Sequence, residues 1–162
     1  MATRVKKTWG EKLIDAKGLP KVEKITKKMR ARWGAAVGET MVIPAPVEVD
    51  AVMKRVPAGK VVTINVIRAV LAKRHGVAIT CPLTTGIFAW IAAHAAAEAL
   101  AAGRRKVTPY WRTLKNGGEI NPKFPGGAAE VRKRLRAEGH KVVKKGERYF
   151  VWGFERALAT LA

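Results

Sequence analysis

Few side chains in this sequence are equipped for covalent or acid–base chemistry, and their spacing does not assemble them into a reactive set. Cys81 is the single thiol, so a disulfide within the chain and a cysteine-built zinc site are both excluded. It precedes Pro82 in an apolar stretch, where cysteine behaves as a small buried hydrophobe. His75, His94 and His140 lie far apart, with no acid or thiol at ligand spacing, so neither a metal nor a cofactor is expected. The densest group of functional side chains is Pro109-Tyr110-Trp111-Arg112-Thr113, with Glu138 downstream. A phenol with an ordinary pKa of about 10 stays protonated at neutral pH, and an indole only donates. The chemistry on offer there is hydrogen bonding and stacking, not bond breaking.

Positive charge, by contrast, is abundant. Lys and Arg number 32 against 12 acids, a formal charge of +20. The excess is spread evenly: residues 1–81 carry 17 cations and 6 acids, and residues 82–162 carry 15 and 6. Because 48% of the residues are apolar, general disorder is excluded and one ordinary core is affordable. So large a net charge destabilises a compact chain through self-repulsion, and it fits a polyanionic partner better than solubility alone. Nucleic acid is the first candidate; the same charge suits RNA or a ribosomal surface, and that alternative stays open at this point.

Compartment and membrane readings follow from the same composition. A lone cysteine implies a reducing interior, hence a cytoplasmic or nucleoid location. Met1–Lys7 is basic but is followed by Thr8-Trp9-Gly10-Glu11-Lys12 rather than an apolar run, so no secretory signal is expected. Gly76 to Ala97 has no formal charge, yet its Pro82, Gly86, Thr residues, His94 and many alanines suit a buried segment better than a span of about 20 strongly apolar residues.

The elements that must position these groups divide at residue 43. Residues 1–43 are Lys-rich and broken by glycines, predicting a basic, partly irregular arm with a short helix over Val22–Trp33. Trp9 and Trp33 are its expected anchors, and the Lys/Arg set from Lys21 to Arg32 its expected grip on phosphates. Thr8-Trp9-Gly10-Glu11 has capping-box spacing. From residue 44 to 162 one domain is expected. Val47, Val49, Val52, Met53 and Val56 predict a helix over 46–56, with acids early and cations late. Pro57–Lys60 turns the chain, Val61–Thr63 is extended, and Asn65–His75 forms a helix stopped by Gly76. A second helix runs from about Thr84 to Ala101 and ends at Gly103. Beyond it, Thr108–Leu114 is expected as a strand and Asn116-Gly117-Gly118 as a hairpin turn. Asn121–Gly127 then forms a loop and Ala128–Ala137 a basic helix. Lys141–Val143 and Arg148–Val151 make a hairpin, and Phe154–Leu161 a closing helix. The expected class is mainly α with small β hairpins (α+β), a winged helix-turn-helix.

In this frame, the residue order from Val47 to His140 resembles the DNA-binding domain of the methylated-DNA–protein cysteine methyltransferases and their alkyltransferase-like relatives. Pro57-Ala58-Gly59-Lys60-Val61-Val62-Thr63 resembles the family's P-x-G-x-V-x-T/S segment before the first motif helix. Thr85-Gly86 falls where the recognition helix has Val-Gly, and Pro109-Tyr110-Trp111-Arg112-Thr113 where the family has Pro-Cys-His-Arg-Val. Gly126-Gly127 and Glu138-Gly139-His140 follow at nearly the family spacing.

The departures shape what the resemblance implies. Family transferases attack the alkyl carbon with a thiolate activated by a His that relays a proton toward a buried Glu. Here those positions hold Tyr110 and Trp111, so alkyl transfer by that route is excluded and no catalytic residue is expected. Glu138, without its His, is read as structural, accepting from the Trp111 indole or a backbone donor. Where the family has an intercalating Arg and a Tyr, this chain has Leu83 and Ile64. With Phe124 from the loop that covers the family's pocket, Ile64, Leu83, Tyr110, Trp111 and Glu138 would form a degenerate pocket. The resemblance thus implies a non-enzymatic duplex-DNA binder of the alkyltransferase-like type, with sensing of alkylated guanine as its specialised form. A general nucleoid or regulatory role is the alternative. Thr84, Thr85, Gly86 and Ala89 would meet DNA from the recognition helix, with phosphate contacts from Lys73, Arg74, Arg104, Arg105, Arg112 and Lys115. Arg132, Lys133, Arg134 and Arg136 read chiefly as a solvated face.

Overall fold

The computed structural model describes residues 5–29 and 36–161. Its central element is a 20-residue helix, and the reasons for its position are written in its sequence. After α1 (Trp9–Ile14), β1 (Lys21–Lys24), β2 (Thr40–Ile43), α2 (Pro46–Lys54), β3 (Val62–Thr63), α3 (Ile64–His75) and β4 (Ile79–Thr80) comes this helix, α4 (Pro82–Ala101). Pro82 opens it, where a missing N–H costs nothing. Its alanines then let neighbouring helices approach closely: Ala89, Ala92, Ala93 and Ala96 are buried with Phe88 and Ile91. Against them pack Val49, Val52 and Met53 of α2 and Ile67, Val70 and Leu71 of α3. α4 is long and apolar enough to cross a membrane by length and composition; here α1, α2 and α3 all pack on it.

The helix boundaries follow local chemistry. Thr63 caps α3 by accepting from the Val66 amide at 3.3 Å, and Gly76 ends it in the left-handed region at φ 64°. α2 begins at Pro46 as expected, and Glu48 accepts from the Ala45 amide at 2.8 Å while meeting His75 Nε2 at 2.6 Å. The Thr8 capping box forms in full. The later elements are β5 (Thr113–Leu114), α5 (Gly127–Ala137), β6 (Val142–Lys145) and β7 (Arg148–Val151). β6 and β7 pair antiparallel as the expected hairpin, with Val142 opposite Val151.

The structure corrects four expectations. Val22 begins no helix: Lys21–Lys24 is strand β1, antiparallel to β2, which itself runs parallel to β4. Residues 27–29 within the expected span are helical, and residues 30–33 lie outside the described residues. Through this mixed sheet, and through α1 packed on α4, the described residues of α1, β1 and β2 join the rest of the chain. Thr108–Leu114 is not one strand. Pro109 has no N–H to donate, Tyr110–Arg112 turn as a 3-10 helix, and only Thr113–Leu114 extend, parallel to β3. Asn116–Gly118 accordingly form a 3-10 turn and not a hairpin. The closing helix shrinks to a 3-10 turn over Phe154–Ala157, because Leu158 then bridges Val61 and Ala159 donates to its carbonyl at 2.9 Å.

Candidate nucleic-acid interface

α4 presents two very different faces in its first two turns. Leu83 is 58% exposed and Ile87 44%; four residues apart, they sit one above the other on the same side of the helix. Gly86 lies beside them, and a Cβ there would meet nothing within 4 Å. The result is an apolar ridge next to bare backbone, with Thr84 half-buried at its margin. The opposite face points inward. Thr85 and Ala89 are fully buried, and the Thr85 hydroxyl is spent on the Cys81 carbonyl at 2.6 Å. Expected at the DNA surface, these two residues instead belong to the core, because the helix turns positions 85, 88, 89 and 92 toward α2 and α3. Leu83, expected in a pocket, stands on the surface, and Ile64 is partly buried against the main core.

The cations expected on phosphates separate in the same way. Lys73 and Arg74 are exposed on the last turn of α3, and Arg104, Arg105 and Lys106 in the segment after α4. Lys115 is half-exposed, 3.7 Å from Glu119. Arg112 is different. Its side chain is 14% exposed, Nε and Nη2 donate to the Glu138 carboxylate at 3.0 and 2.6 Å, and Nη1 donates to the Val56 carbonyl at 2.7 Å. All its donor groups face inward, so it is a structural cation and not a phosphate contact.

Glu138 is the hub of this inner cluster. Besides Arg112 it accepts from Trp111 Nε1 at 3.0 Å and from the Gly59 amide at 3.4 Å. Burial opposes ionisation, but the hydrogen bonds from Arg112 and Trp111 prevail and hold the carboxyl below its usual range. The expected acceptor role toward the indole and a backbone donor is what the structure shows. The cluster ties the 3-10 turn at Tyr110 to the end of α5 and to the turn before β3.

Beside it, Tyr110 is 2% exposed and its hydroxyl donates to the Pro125 carbonyl at 3.4 Å. Burial pushes its pKa up, which keeps the phenol neutral and non-nucleophilic. Trp111 and Phe124 meet its ring edge-on, at 5.4 and 6.1 Å, and Phe124 is itself buried. Tyr110 and Phe124 therefore fill the expected degenerate pocket rather than line it. Open space lies to one side: a cleft of about 630 Å³ bordered by Lys54, Arg105, Lys106, Pro109, Trp111 and Arg134. The Arg134 guanidinium covers the Trp111 ring at 4.6 Å. Lys54 on the cleft rim is held by buried Asp50 at 3.0 Å, and Asp50 also accepts from Thr108 Oγ1 at 2.6 Å.

Sequence reasoning missed two groups of residues. Glu98 of α4 accepts from the Trp9 and Gly10 amides at 3.0 and 3.1 Å, capping α1, while Trp9 stacks on His94 at 4.4 Å. The placing of Trp9 as an anchor agrees with this; Trp33 lies outside the described residues. The second group is the β6–β7 hairpin, whose Lys and Arg residues pair with Tyr149, Phe150 and Trp152. The closeness of Lys144, Lys145 and Arg148 to Tyr149, Phe150 and Trp152 in sequence was the available signal. Among the described residues, three or more His, Cys, Asp or Glu nowhere gather in a group that could hold a metal.

The fold is thus of the α+β class, with small sheets and a helix pair, α3 and α4, followed by the β6–β7 hairpin. No protein-family model matches the chain, and no curated protein matches it. Among solved structures it is similar to Atl1 of S. pombe in complex with damaged DNA containing O6-carboxymethylguanine. That similarity has 16% identity and a TM-score of 0.47, covering 72% of this chain and 94% of the other. It is also similar to S. pombe ATL in complex with DNA, at 15% identity and a TM-score of 0.46 over the same shares.

Proposed function

We propose that this chain is a non-enzymatic protein that binds duplex DNA, laying the first turns of α4 against a groove and holding the phosphates with its surface cations. The observation that carries this reading is the ridge of Leu83 and Ile87 beside the uncovered Gly86, on a molecule of charge +20. Bare helix backbone permits close approach to a groove floor. An exposed leucine is a suitable wedge between base steps, at a cost of a few kcal/mol in unstacking that added contacts offset. Lys73, Arg74, Arg104, Arg105 and Lys115 are the proposed phosphate contacts; they set affinity and orientation but read no sequence. The absence of catalysis follows from the chemistry of the inner cluster. Tyr110 is buried and neutral, Trp111 is a donor only, and the Glu138 carboxylate is occupied by Arg112.

Sensing of an alkylated base is a second reading, favoured by the cleft beside Trp111, which has room for a purine and an indole at its edge. One experiment separates the readings: binding of a plain duplex, its twin with a single O6-alkylguanine, and a structured RNA, each at two salt concentrations. Plain duplex binding that weakens with salt supports the general reading, and tighter binding of the alkylated twin adds sensing. A stronger grip on structured RNA, or no duplex binding at low salt, overturns the proposal.

A further inference from the structure

The hairpin that closes the chain carries a second nucleic-acid surface, distinct from the ridge on α4. β7 alternates its aromatic side chains between the two faces of the strand, and each ring is matched with cations. Tyr149 lies under Arg132 at 4.0 Å and near Lys144 at 5.7 Å. Phe150 has Lys145 at 5.5 Å and Arg148 at 5.4 Å. Both rings are half-buried, and their work is to hold the cations in place. Trp152, just past the strand, is different: its side chain stands out, with the residue 57% exposed. Lys141 and Arg156 flank its ring at 5.4 and 5.7 Å.

An exposed indole among cations offers both a stacking face and phosphate partners. A protein or lipid contact would favour further apolar area around it, but the neighbours here are ammonium and guanidinium groups. Lys141, Lys144, Lys145 and Arg156 take part in no ion pair among the described residues. From residue 141 to 156 the segment holds five cations and two carboxylates. An aromatic face bracketed by unpaired cations matches one repeating chemistry: a planar base joined to phosphates. In a duplex the base faces are already stacked on each other, so the match is to an unpaired strand.

We infer that Trp152, with Lys141 and Arg156 beside it and Lys144 and Lys145 along β6, is a stacking platform for an unpaired nucleotide of single-stranded DNA. This goes beyond the duplex reading and does not depend on it, because it uses none of the residues assigned to that surface. A protein with both surfaces would hold a duplex by α4 and an unpaired or extruded stretch by the hairpin.

The test is fluorescence anisotropy with the full chain, using labelled dT12 and a labelled 12-base-pair duplex. It is run on the unaltered protein, Trp152→Ala, Trp152→Phe and Leu83→Ala. Loss of one base–aromatic stack predicts that Trp152→Ala weakens dT12 binding about 5- to 100-fold, that Trp152→Phe restores most of it, and that duplex binding changes less than about twofold. Leu83→Ala is expected to do the reverse. Unchanged dT12 affinity in Trp152→Ala overturns the inference, as does an equal loss on both probes or a failure of the unaltered protein to bind dT12. A preference for U12 over dT12 of tenfold or more also overturns it, in favour of RNA. If the unaltered protein binds dT12 but not the duplex, the duplex proposal falls and the hairpin assignment stands. Because Trp152 is exposed, an unchanged melting temperature in both Trp152 variants confirms that each measurement is made on a folded protein.

Discussion

Replacing Glu138 by Ala separates a structural carboxylate from a functional one. The substitution removes the acceptor for Trp111 Nε1, Arg112 Nε and Nη2 and the Gly59 amide at once. It leaves a guanidinium that is 14% exposed with the Val56 carbonyl as its remaining hydrogen-bond acceptor. Removing one member of a buried ion pair costs about 3–5 kcal/mol. With both side chains about one-seventh exposed, water reaches part of the vacated space and the lower end, about 3 kcal/mol, is expected. At about 2–4 °C per kcal/mol for a chain of this size, the melting temperature should fall by roughly 6–12 °C. Denaturant unfolding is the sharper assay, because a shift in midpoint at unchanged slope reports stability alone. The companion variant Glu138→Leu/Arg112→Met removes both charges at similar volume and should recover the part of the loss due to the unpaired guanidinium, the Trp111 and Gly59 donors still lacking their acceptor. Duplex affinity should stay within about twofold in every variant that is folded. A cost below about 1 kcal/mol for Glu138→Ala would refute the reasoning, and so would a double variant no more stable than the single one. A large loss of affinity in a folded variant would place Glu138 in the binding surface.

Four further outcomes are expected. For about six phosphate contacts, the logarithm of duplex affinity should fall with the logarithm of salt at a slope near −5; a flat dependence in a salt titration would remove phosphate neutralisation as the basis of binding. Leu83→Glu should abolish duplex binding at unchanged stability, whereas Thr85→Val should lower stability at unchanged affinity, because one side chain is exposed and the other is hydrogen-bonded in the core. His94 and His140 have their pKa values pushed down chiefly by burial. The unfolded chain therefore takes up protons first on acidification, and their contribution, full above about pH 6.5, is lost as the pH falls through the lower folded values. Melting temperatures at pH 7.5 and pH 5 should show this, and His140→Gln should flatten the difference. Gly118→Ala should cost about 2 kcal/mol or more by denaturant midpoint, since φ is +83° and the new Cβ would run into the Phe154 ring.

How much of this was legible in the sequence depended on the range over which each feature is decided. α2, α3, α4 and α5 were readable because apolar spacing and the stops at Gly76, Gly103 and Gly139 are local signals that agree with the packing. The β6–β7 hairpin was readable for the same reason. The mixed sheet was not: β1 meets β2 across some 20 residues and β2 meets β4 across nearly 40, and strands of two to four residues carry almost no periodic signal of their own. The 3-10 turn at Tyr110–Arg112 was invisible for a further reason. Besides the local effect of Pro109, the turn is held by Glu138, 26 residues on from Arg112, a partner that the local pattern does not announce. The same distance hid the role of Arg112. Its neighbours in sequence, Trp111 and Thr113, carry no charge that would reveal a partner, and only the fold shows that its own charge is neutralised. In α4 the helix was legible but its orientation was not, since alanines and threonines fit either a groove or a core.

The carboxylates explain how a chain with charge +20 stays folded while keeping its cations available. Nine of the twelve acids are used at fixed structural points. Glu11, Glu48 and Glu98 accept from backbone amides at helix starts, where the helix dipole also favours a negative group. Asp50 holds Thr108, Glu138 holds Arg112, Glu119 holds Arg148 and Lys115, and Asp15, Glu23 and Glu130 pair with nearby cations. The negative charge thus lies close to the chain and shields few of the exposed cations. Repulsion among those cations is spread over both halves of the molecule and screened within about 8 Å at physiological salt. A polyanion brought to the hairpin meets five cations against two carboxylates over residues 141–156, so its approach relieves self-repulsion as it forms contacts. Binding of nucleic acid should therefore raise the melting temperature most at low salt, and the size of that rise should shrink in parallel with affinity as salt increases.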